Sequence, residues 1–175
     1  MNTQVVFITG GAQGIGLGTA KCFARLKATV VLADAKAEQA QQAAQALQTE
    51  FGIEALGVGC DITDRAQVES AVAQAIQSFR RIDVLINNAG ISPFVDVMEL
   101  SPELFDKVLD VNLTGGFHCA QIIGKHMIER GGGGRIIWIS SLAPRFSQPT
   151  QAEYSASKAG VEGLMRGFGT LLGRQ

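Results

Sequence analysis

The chain has 175 residues, of which 46% are hydrophobic and 21 are glycine, so its length and composition suit one compact α/β domain rather than a disordered segment. Its 15 basic and 16 acidic residues give a net charge of −1, and no basic run is present. This balance argues against a nucleic-acid-binding protein and favours small-molecule chemistry. We also predict no metal site.

The cysteine pattern bears on where the protein resides. Cys22, Cys60 and Cys119 are odd in number and fall inside predicted helices or a strand, which argues against a disulfide framework and favours a reducing compartment. The first strand begins within a few residues of Met1, which leaves no room for a signal peptide, and no apolar stretch is long enough to span a bilayer. We therefore expect a soluble cytoplasmic protein without a membrane partner.

A glycine-rich stretch at residues 9–16 follows an apolar run at residues 4–8 that reads as the first strand. Gly10 can adopt a positive φ for a tight turn, Gly14 has no side chain to hold a pyrophosphate away, and Gly16 allows close packing of helix and strand. The start of the following helix favours an anion. An ordinary turn is the alternative, but the flanking strand and helix favour a phosphate-binding loop.

A second apolar, β-branched run at residues 28–33 ends at Asp34 and completes a strand–helix–strand unit. Asp34 lies near the spacing at which an acidic residue bonds the 2′-hydroxyl of an adenosine ribose, and its carboxylate would repel a 2′-phosphate. The same residue could instead act as the N-cap of the following helix. The glycine pattern upstream favours the ribose role.

The other predicted elements follow from apolar periodicity and capping residues. They are helices over residues 14–26, 36–51, 64–79, 102–130 and 150–172, and strands over residues 54–60, 83–86 and 135–139. Thr63 or Asp64 could cap the third helix, and Ser101 followed by proline caps the fourth. Asn112 falls in the middle of that fourth helix, where a solvated polar position is the alternative to a functional one. Gly173 is a plausible C-terminal cap of the last helix.

Five strands that alternate with helices predict a parallel sheet with helices on both faces. In such a sheet, ligands bind outside the carboxyl ends of the strands. Gly10, Asp34, Asp61, Asn88 and Ser141 all follow predicted strands. We therefore expect them to meet in one crevice.

Tyr154 and Lys158 lie four positions apart on the last helix, and hence on one of its faces. An unperturbed phenol titrates at about pH 10, so proton transfer at neutral pH needs a nearby cation that favours tyrosinate. Lys158 is placed to be that cation. The alternative is an exposed aromatic residue beside an unrelated lysine.

Taken in order, four motifs resemble the short-chain dehydrogenase/reductase family from the first residues of the chain to the last. They are Thr9-Gly-x-x-x-Gly14-Ile-Gly16, Asn87-Asn88-Ala89-Gly90, Ser141 placed 13 positions before the tyrosine, and Tyr154-x-x-x-Lys158. The resemblance implies a Rossmann-type doubly wound parallel sheet with strand order 3-2-1-4-5. It also implies an oxidoreductase that transfers a hydride between NAD(H) and an alcohol or ketone.

The resemblance assigns roles to individual residues. Tyr154 is implied as the general acid/base, Lys158 as the group that favours tyrosinate and holds the nicotinamide ribose, and Ser141 as the donor to the substrate oxygen. Asn112 is implied to support a proton-relay water. The implied cofactor contacts are Gly10, Gln13, Gly14, Ile15, Gly16, Asp34, Asp61, Ile62, Asn88, Ala89, Gly90, Tyr154 and Lys158.

Asp34 leads us to expect NAD rather than NADP as cofactor. Residues 142–153 and those after Ile91 are expected to line the substrate pocket, without indicating a substrate.

Family members normally continue into further strands, so we expect residues 1–175 to form a single dinucleotide-binding and catalytic domain that is truncated at its C-terminus. The strand at residues 135–139 would then be a sheet edge. Either the chain is truncated or a partner subunit covers this edge, and we expect a homo-oligomer. A nucleotide-binding fragment with little turnover is the alternative function.

Overall fold

Strands and helices alternate along the chain in the computed structural model, which describes residues 3–173. The strands are β1 (Val5–Thr9), β2 (Thr29–Asp34), β3 (Ala55–Gly59), β4 (Val84–Asn87) and β5 (Arg135–Trp138). The helices are α1 (Gly14–Arg25), α2 (Ala37–Phe51), α3 (Arg65–Phe79), α4 (Pro102–Leu109), α5 (Gly115–Arg130) and α6 (Ala152–Leu172). Residues 1–2 and 174–175 of the predicted domain lie outside the described residues.

All five strands are parallel and lie in the order β3-β2-β1-β4-β5. This confirms the predicted doubly wound sheet and its strand order. Phe7 of the central strand is paired in register with Val31 on one side and Leu85 on the other. Because the strands are parallel, their carboxyl ends share one edge of the sheet, where ligands of this architecture bind.

Alternate residues of the central strands fill two separate hydrophobic layers. Phe7 and Val31 belong to the layer covered by α3 and α5, whereas Ile8 and Leu32 belong to the layer covered by α1 and α2. All four side chains are fully buried. Burial on both faces explains why these strands are continuous apolar runs rather than alternating ones.

The long helix predicted over residues 102–130 is not a regular α-helix, so that prediction is wrong in detail. Helix α4 passes at Asp110 into a π-helical turn, Asp110–Thr114, which passes in turn into α5. The backbone stays in the right-handed helical region at both junctions. The turn therefore widens the helix locally without breaking it, and π-helical turns of this kind are frequent at functional sites.

Strand β5 forms an edge of the sheet, as predicted. It pairs with β4 only among the described residues, and Ile137 at its centre is 42% exposed. An apolar cavity of ≈ 350 Å³ lies beside it, lined by Trp138, by Phe168 and by the loop at residues 131–134. An exposed apolar edge of this kind is a surface for association.

Candidate active site

The glycine loop between β1 and α1 has the geometry that its glycines require. Gly10 and Gly14 have φ values of +60° and +55°, in the left-handed region that favours glycine. A Cβ added at Gly14 would meet no atom within 4 Å, whereas one at Gly16 would collide with the carbonyl oxygen of Gly10 and with Asn88. Gly14 therefore leaves open space outside the loop, and Gly16 permits the close packing beneath it.

The N-terminus of α1 is left open for a ligand. Gln13 occupies the N-cap position in an extended conformation, and no side chain among the described residues caps this helix. Ile15 in the first turn is 69% exposed. Free backbone N–H groups and the helix dipole make such a terminus a binding site for an anion.

Asp34 is attached to the glycine loop. One carboxylate oxygen accepts a 3.1 Å hydrogen bond from the backbone N–H of Ala12. The other accepts a 3.1 Å hydrogen bond from the backbone N–H of Lys36. Lys36 itself occupies the N-cap position of α2, so the alternative that Asp34 caps this helix is wrong. Instead, its negative charge is fixed between the end of β2 and the loop.

Asp61 and Ile62 follow β3 at the same sheet edge. One oxygen of Asp61 accepts hydrogen bonds from the backbone N–H and the hydroxyl of Thr63, at 2.9 and 2.8 Å. Ile62 is buried, and its carbonyl oxygen lies 3.2 Å from a ring nitrogen of His118. The adjacent cap of α3 is Asp64 rather than Thr63.

Asn88 joins the end of β4 to the glycine loop. Its side-chain amide donates to the carbonyl oxygens of Thr9 and Gly10, at 2.8 and 3.1 Å. The backbone N–H groups of Asn88 and Ala89 both donate to the hydroxyl of Thr9, each at 3.0 Å. Thr9 thus supports the site, a role that was not predicted from the sequence. Its place at the start of the glycine motif was the available signal.

Asn112 is buried in the π-helical turn and makes three side-chain hydrogen bonds. It accepts a 2.7 Å bond from the backbone N–H of Ile91 and donates a 2.9 Å bond to the carbonyl oxygen of the same residue. Its remaining amide hydrogen is donated to the hydroxyl of Ser157 at 3.0 Å. The alternative of a solvated polar position is therefore wrong.

Tyr154 and Lys158 lie together near the amino end of α6. The Lys158 Nζ is 5.6 Å from the centroid of the Tyr154 ring and donates a 2.7 Å hydrogen bond to the carbonyl oxygen of Ile139, just after β5. Lys158 is buried, and this burial lowers its pKa. A Cβ at Gly90 would lie 3.1 Å from Asn112 and 3.6 Å from Nζ, so glycine permits this close approach.

Ser141 lies in the loop that follows β5. Its hydroxyl oxygen accepts a 3.1 Å hydrogen bond from the backbone N–H of Ala143, which leaves the hydroxyl hydrogen free for another acceptor. The loop then leads into α6 and Tyr154. A hydroxyl donor, a phenol and a buried ammonium group therefore belong to consecutive segments at one sheet edge.

Two further polar residues of α6 were not identified from the sequence. Ser157 is fully buried and donates a 2.7 Å hydrogen bond to the carbonyl oxygen of Tyr154. Glu153 is also fully buried, and neither carboxylate oxygen has a hydrogen-bond partner among residues 3–173. A serine or glutamate in a helix is ordinarily exposed, so sequence spacing carried no signal for either.

Within residues 3–173, no group of three or more His, Cys, Asp or Glu side chains is arranged to hold a metal ion. None of the helices in that range combines the length and apolarity needed to cross a membrane.

Comparison with known proteins gives consistent matches over nearly the whole chain. A model of the short chain dehydrogenase family matches residues 4–175. L-rhamnose 1-dehydrogenase (NAD(P)(+)) of Azotobacter vinelandii is 36% identical over 173 residues, which make up 97% of this chain and 68% of that protein. 3alpha-hydroxysteroid dehydrogenase of Mediterraneibacter gnavus is 35% identical over 174 residues, or 99% of this chain and 69% of that protein.

The fold of this chain is also found in solved structures. The crystal structure of NAD+-bound xylitol dehydrogenase superposes with a TM-score of 0.94 at 32% identity, covering 99% of this chain and 66% of that one. The chain thus spans about two thirds of the length of the relatives that it matches. On the family match, the sequence identity and the shared fold together, the chain belongs to the short chain dehydrogenase family.

Proposed function

We propose that this protein transfers a hydride between NAD(H) and an alcohol or ketone, with Tyr154 as the general acid/base. The observation that carries the proposal is the buried Lys158 ammonium group, 5.6 Å from the centroid of the Tyr154 ring. This geometry places a cation beside the phenol that would exchange a proton with the alcohol.

The residues present fit a nicotinamide dinucleotide. The open space at Gly14 and the uncapped start of α1 suit a pyrophosphate, and the fixed carboxylate of Asp34 suits a ribose hydroxyl. When bound, the cofactor supplies or accepts the hydride. The residues proposed to hold it are Gly10, Gln13, Gly14, Ile15, Gly16, Asp34, Asp61, Ile62, Asn88, Ala89, Gly90, Tyr154 and Lys158.

The proposed chemistry assigns one task to each polar group. In the reducing direction, the free hydroxyl hydrogen of Ser141 is donated to the substrate carbonyl oxygen, and the Tyr154 hydroxyl gives that oxygen its proton. Lys158 then stabilises the resulting tyrosinate. Both amide hydrogens of Asn112 are already used and its side-chain oxygen accepts one bond, so the second lone pair of that oxygen is the group left to hold a relay water.

We further propose that NAD(H) is preferred over NADP(H), because the Asp34 carboxylate would repel a 2′-phosphate. Three free cysteines support a reducing cytoplasmic location. We also propose that the protein forms a homo-oligomer.

The second candidate function is nucleotide binding without turnover. It would account for the open space at Gly14 and the uncapped start of α1 without requiring proton transfer. The relatives' names include both sugar and steroid dehydrogenases, so the comparisons leave the substrate class open.

The test is ketone-dependent oxidation of NADH by the purified protein and by a Tyr154→Phe variant. We expect the variant to lose about 10²- to 10⁴-fold in turnover rate while its NADH affinity, measured by calorimetry, is retained. The substitution removes a proton donor but little contact area. A loss smaller than about tenfold would assign the proton transfer to another residue, and NADH binding without any turnover would favour the second candidate.

A further inference from the structure

Large apolar side chains project into solvent from the two loops beside Tyr154 and Ser141. The first loop comprises residues 91–100 after β4, and the second comprises residues 141–151 after β5. The exposed apolar residues are Phe94, Val97, Met98, Leu142 and Phe146, with between 46% and 86% of their surface exposed. Clusters of exposed apolar groups of this kind mark ligand-binding surfaces.

The two loops are held against each other. The backbone N–H of Val97 donates a 3.0 Å hydrogen bond to the carbonyl oxygen of Pro149, and the amide of Gln151 donates one of 3.2 Å to the hydroxyl of Ser92. The first loop begins at Ile91, which is bound to Asn112. Since the second loop runs from Ser141 into α6, the apolar side chains lie at the rim of the candidate active site.

Several polar side chains of these loops are engaged by other protein groups. Asp96 accepts a 2.9 Å hydrogen bond from the backbone N–H of Met98, and the hydroxyl of Ser147 lies 2.8 Å from that of Ser155. Arg145 lies 3.9 Å from the Glu162 carboxylate. The side chains of Glu99, Gln148 and Thr150 make no hydrogen bond within the described residues, so the loops expose polar groups beside the large apolar ones.

We propose that the substrate is apolar outside its reacting group: an alkyl, alicyclic or aromatic ketone, or the corresponding secondary alcohol, rather than a polyhydroxylated one. This inference rests on the proposed function. Each apolar carbon that leaves water on this surface gains free energy, while a hydroxyl placed there loses hydrogen bonds to water without replacement. A surface whose large side chains are apolar therefore favours an apolar substrate over a polyol.

The test compares ketones that differ only in polarity or chain length, using the purified protein with NADH. The ketones are 2-butanone, 2-hexanone, 2-octanone and erythrulose, which is 2-butanone bearing three hydroxyl groups. We expect kcat/KM to rise about two- to fourfold per added methylene group and to be lower for erythrulose than for 2-butanone. Preference for erythrulose, or no dependence on chain length, would overturn the inference while leaving the proposed function intact. If none of the four ketones is reduced, the proposed function fails and the inference with it.

Substitutions in the second loop test whether its apolar side chains cause the preference for longer ketones. In Leu142→Ser and Phe146→Ser, the ratio of kcat/KM for 2-octanone to that for 2-butanone should fall several-fold. Leu26→Ser is the matched control, because Leu26 is 78% exposed but follows α1 at the opposite edge of the sheet. An unchanged ratio in both loop variants would show that these side chains do not contact the substrate, and would overturn the inference.

Discussion

The side-chain amide of Asn112 donates a 3.0 Å hydrogen bond to the hydroxyl of Ser157, 45 positions later in the chain. The same hydroxyl donates a 2.7 Å bond to the main-chain carbonyl of Tyr154. Because Asn112 is also bound to both backbone groups of Ile91, one buried serine joins the π-helical turn and the loop after β4 to the helix that carries the candidate acid.

Ser157→Ala should lower kcat by on the order of tenfold to a hundredfold with little change in the KM for NADH, because Tyr154 loses its connection to Asn112. An amide hydrogen of Asn112 also loses its partner, so the free energy of unfolding in urea should fall by about 1–3 kcal/mol. Thr170→Ala is the control, since Thr170 donates to a carbonyl of the same helix but is exposed. A fall in stability with unchanged kcat would restrict Ser157 to a structural role.

The double substitution Asp34→Ser, Ala35→Arg should shift cofactor preference toward NADPH, because it removes a repulsive carboxylate and adds a partner for the 2′-phosphate. Asp34 also accepts a hydrogen bond from Ala12, so NADH affinity should fall as the loop loses that contact. The measurement is the ratio of dissociation constants for NADPH and NADH by calorimetry.

Asp34→Asn separates these two effects, because asparagine retains an acceptor oxygen without the charge. We expect its preference to lie between those of the unmodified protein and the double variant. Tighter binding of NADPH than of NADH by the unmodified protein would contradict the proposed preference.

The burial of Lys158 predicts a pH-dependent contribution to stability. Burial lowers its pKa from the ordinary value of 10.5, which the unfolded chain retains, so the unfolded state binds more protons between the two values. The contribution of Lys158 to the free energy of unfolding should therefore rise with pH up to about 10.5 and then level off. The measurement is the difference in unfolding free energy between the unmodified protein and Lys158→Met, both without cofactor. A difference that stays constant over this range would be inconsistent with the lowered pKa.

Glu153 is fully buried without a hydrogen-bond partner among the described residues, which is costly for a carboxylate. Glu153→Met should raise the free energy of unfolding by roughly 1–3 kcal/mol, since it replaces this group with an apolar one of similar size. Glu162→Met, in the same helix, should give no gain because Glu162 is partly exposed and hydrogen bonded to Ser140. Equal effects of the two substitutions on stability in urea would show that burial at Glu153 is not the cause.

The strands were predictable because burial on both faces makes them short apolar runs bounded by turn residues. The predicted strand at residues 28–33 corresponds to β2 at Thr29–Asp34, and the one at residues 54–60 to β3 at Ala55–Gly59. The cap Ser101 was recognisable for a similar reason, since its hydrogen bond is made within a few residues, whereas the cap of α3 was predicted only as Thr63 or Asp64.

The π-helical turn was not predictable, because one wider turn leaves the apolar spacing on either side almost unchanged. The environments of Asn112 and Ser157 were hidden for a different reason. Their contacts join residues 21 and 45 positions apart, and such distances in the chain leave no local pattern. The proximity of Tyr154 and Lys158 followed from helical periodicity, whereas the bond from Lys158 to Ile139 depends on how α6 packs against the sheet.

The π-helical turn also determines how the chain would respond to losing a single residue. Removing one residue from an ordinary α-helix rotates everything beyond it by about 100°, which displaces a buried face from its neighbours. A π turn already accommodates more residues per turn than an α-helix, so shortening Asp110–Thr114 by one residue would regularise it and spare the packing of α4 and α5. The position of Asn112, and with it the attachment of Ile91, would be lost. At this point the chain retains a residue that the helix does not need but the candidate active site does.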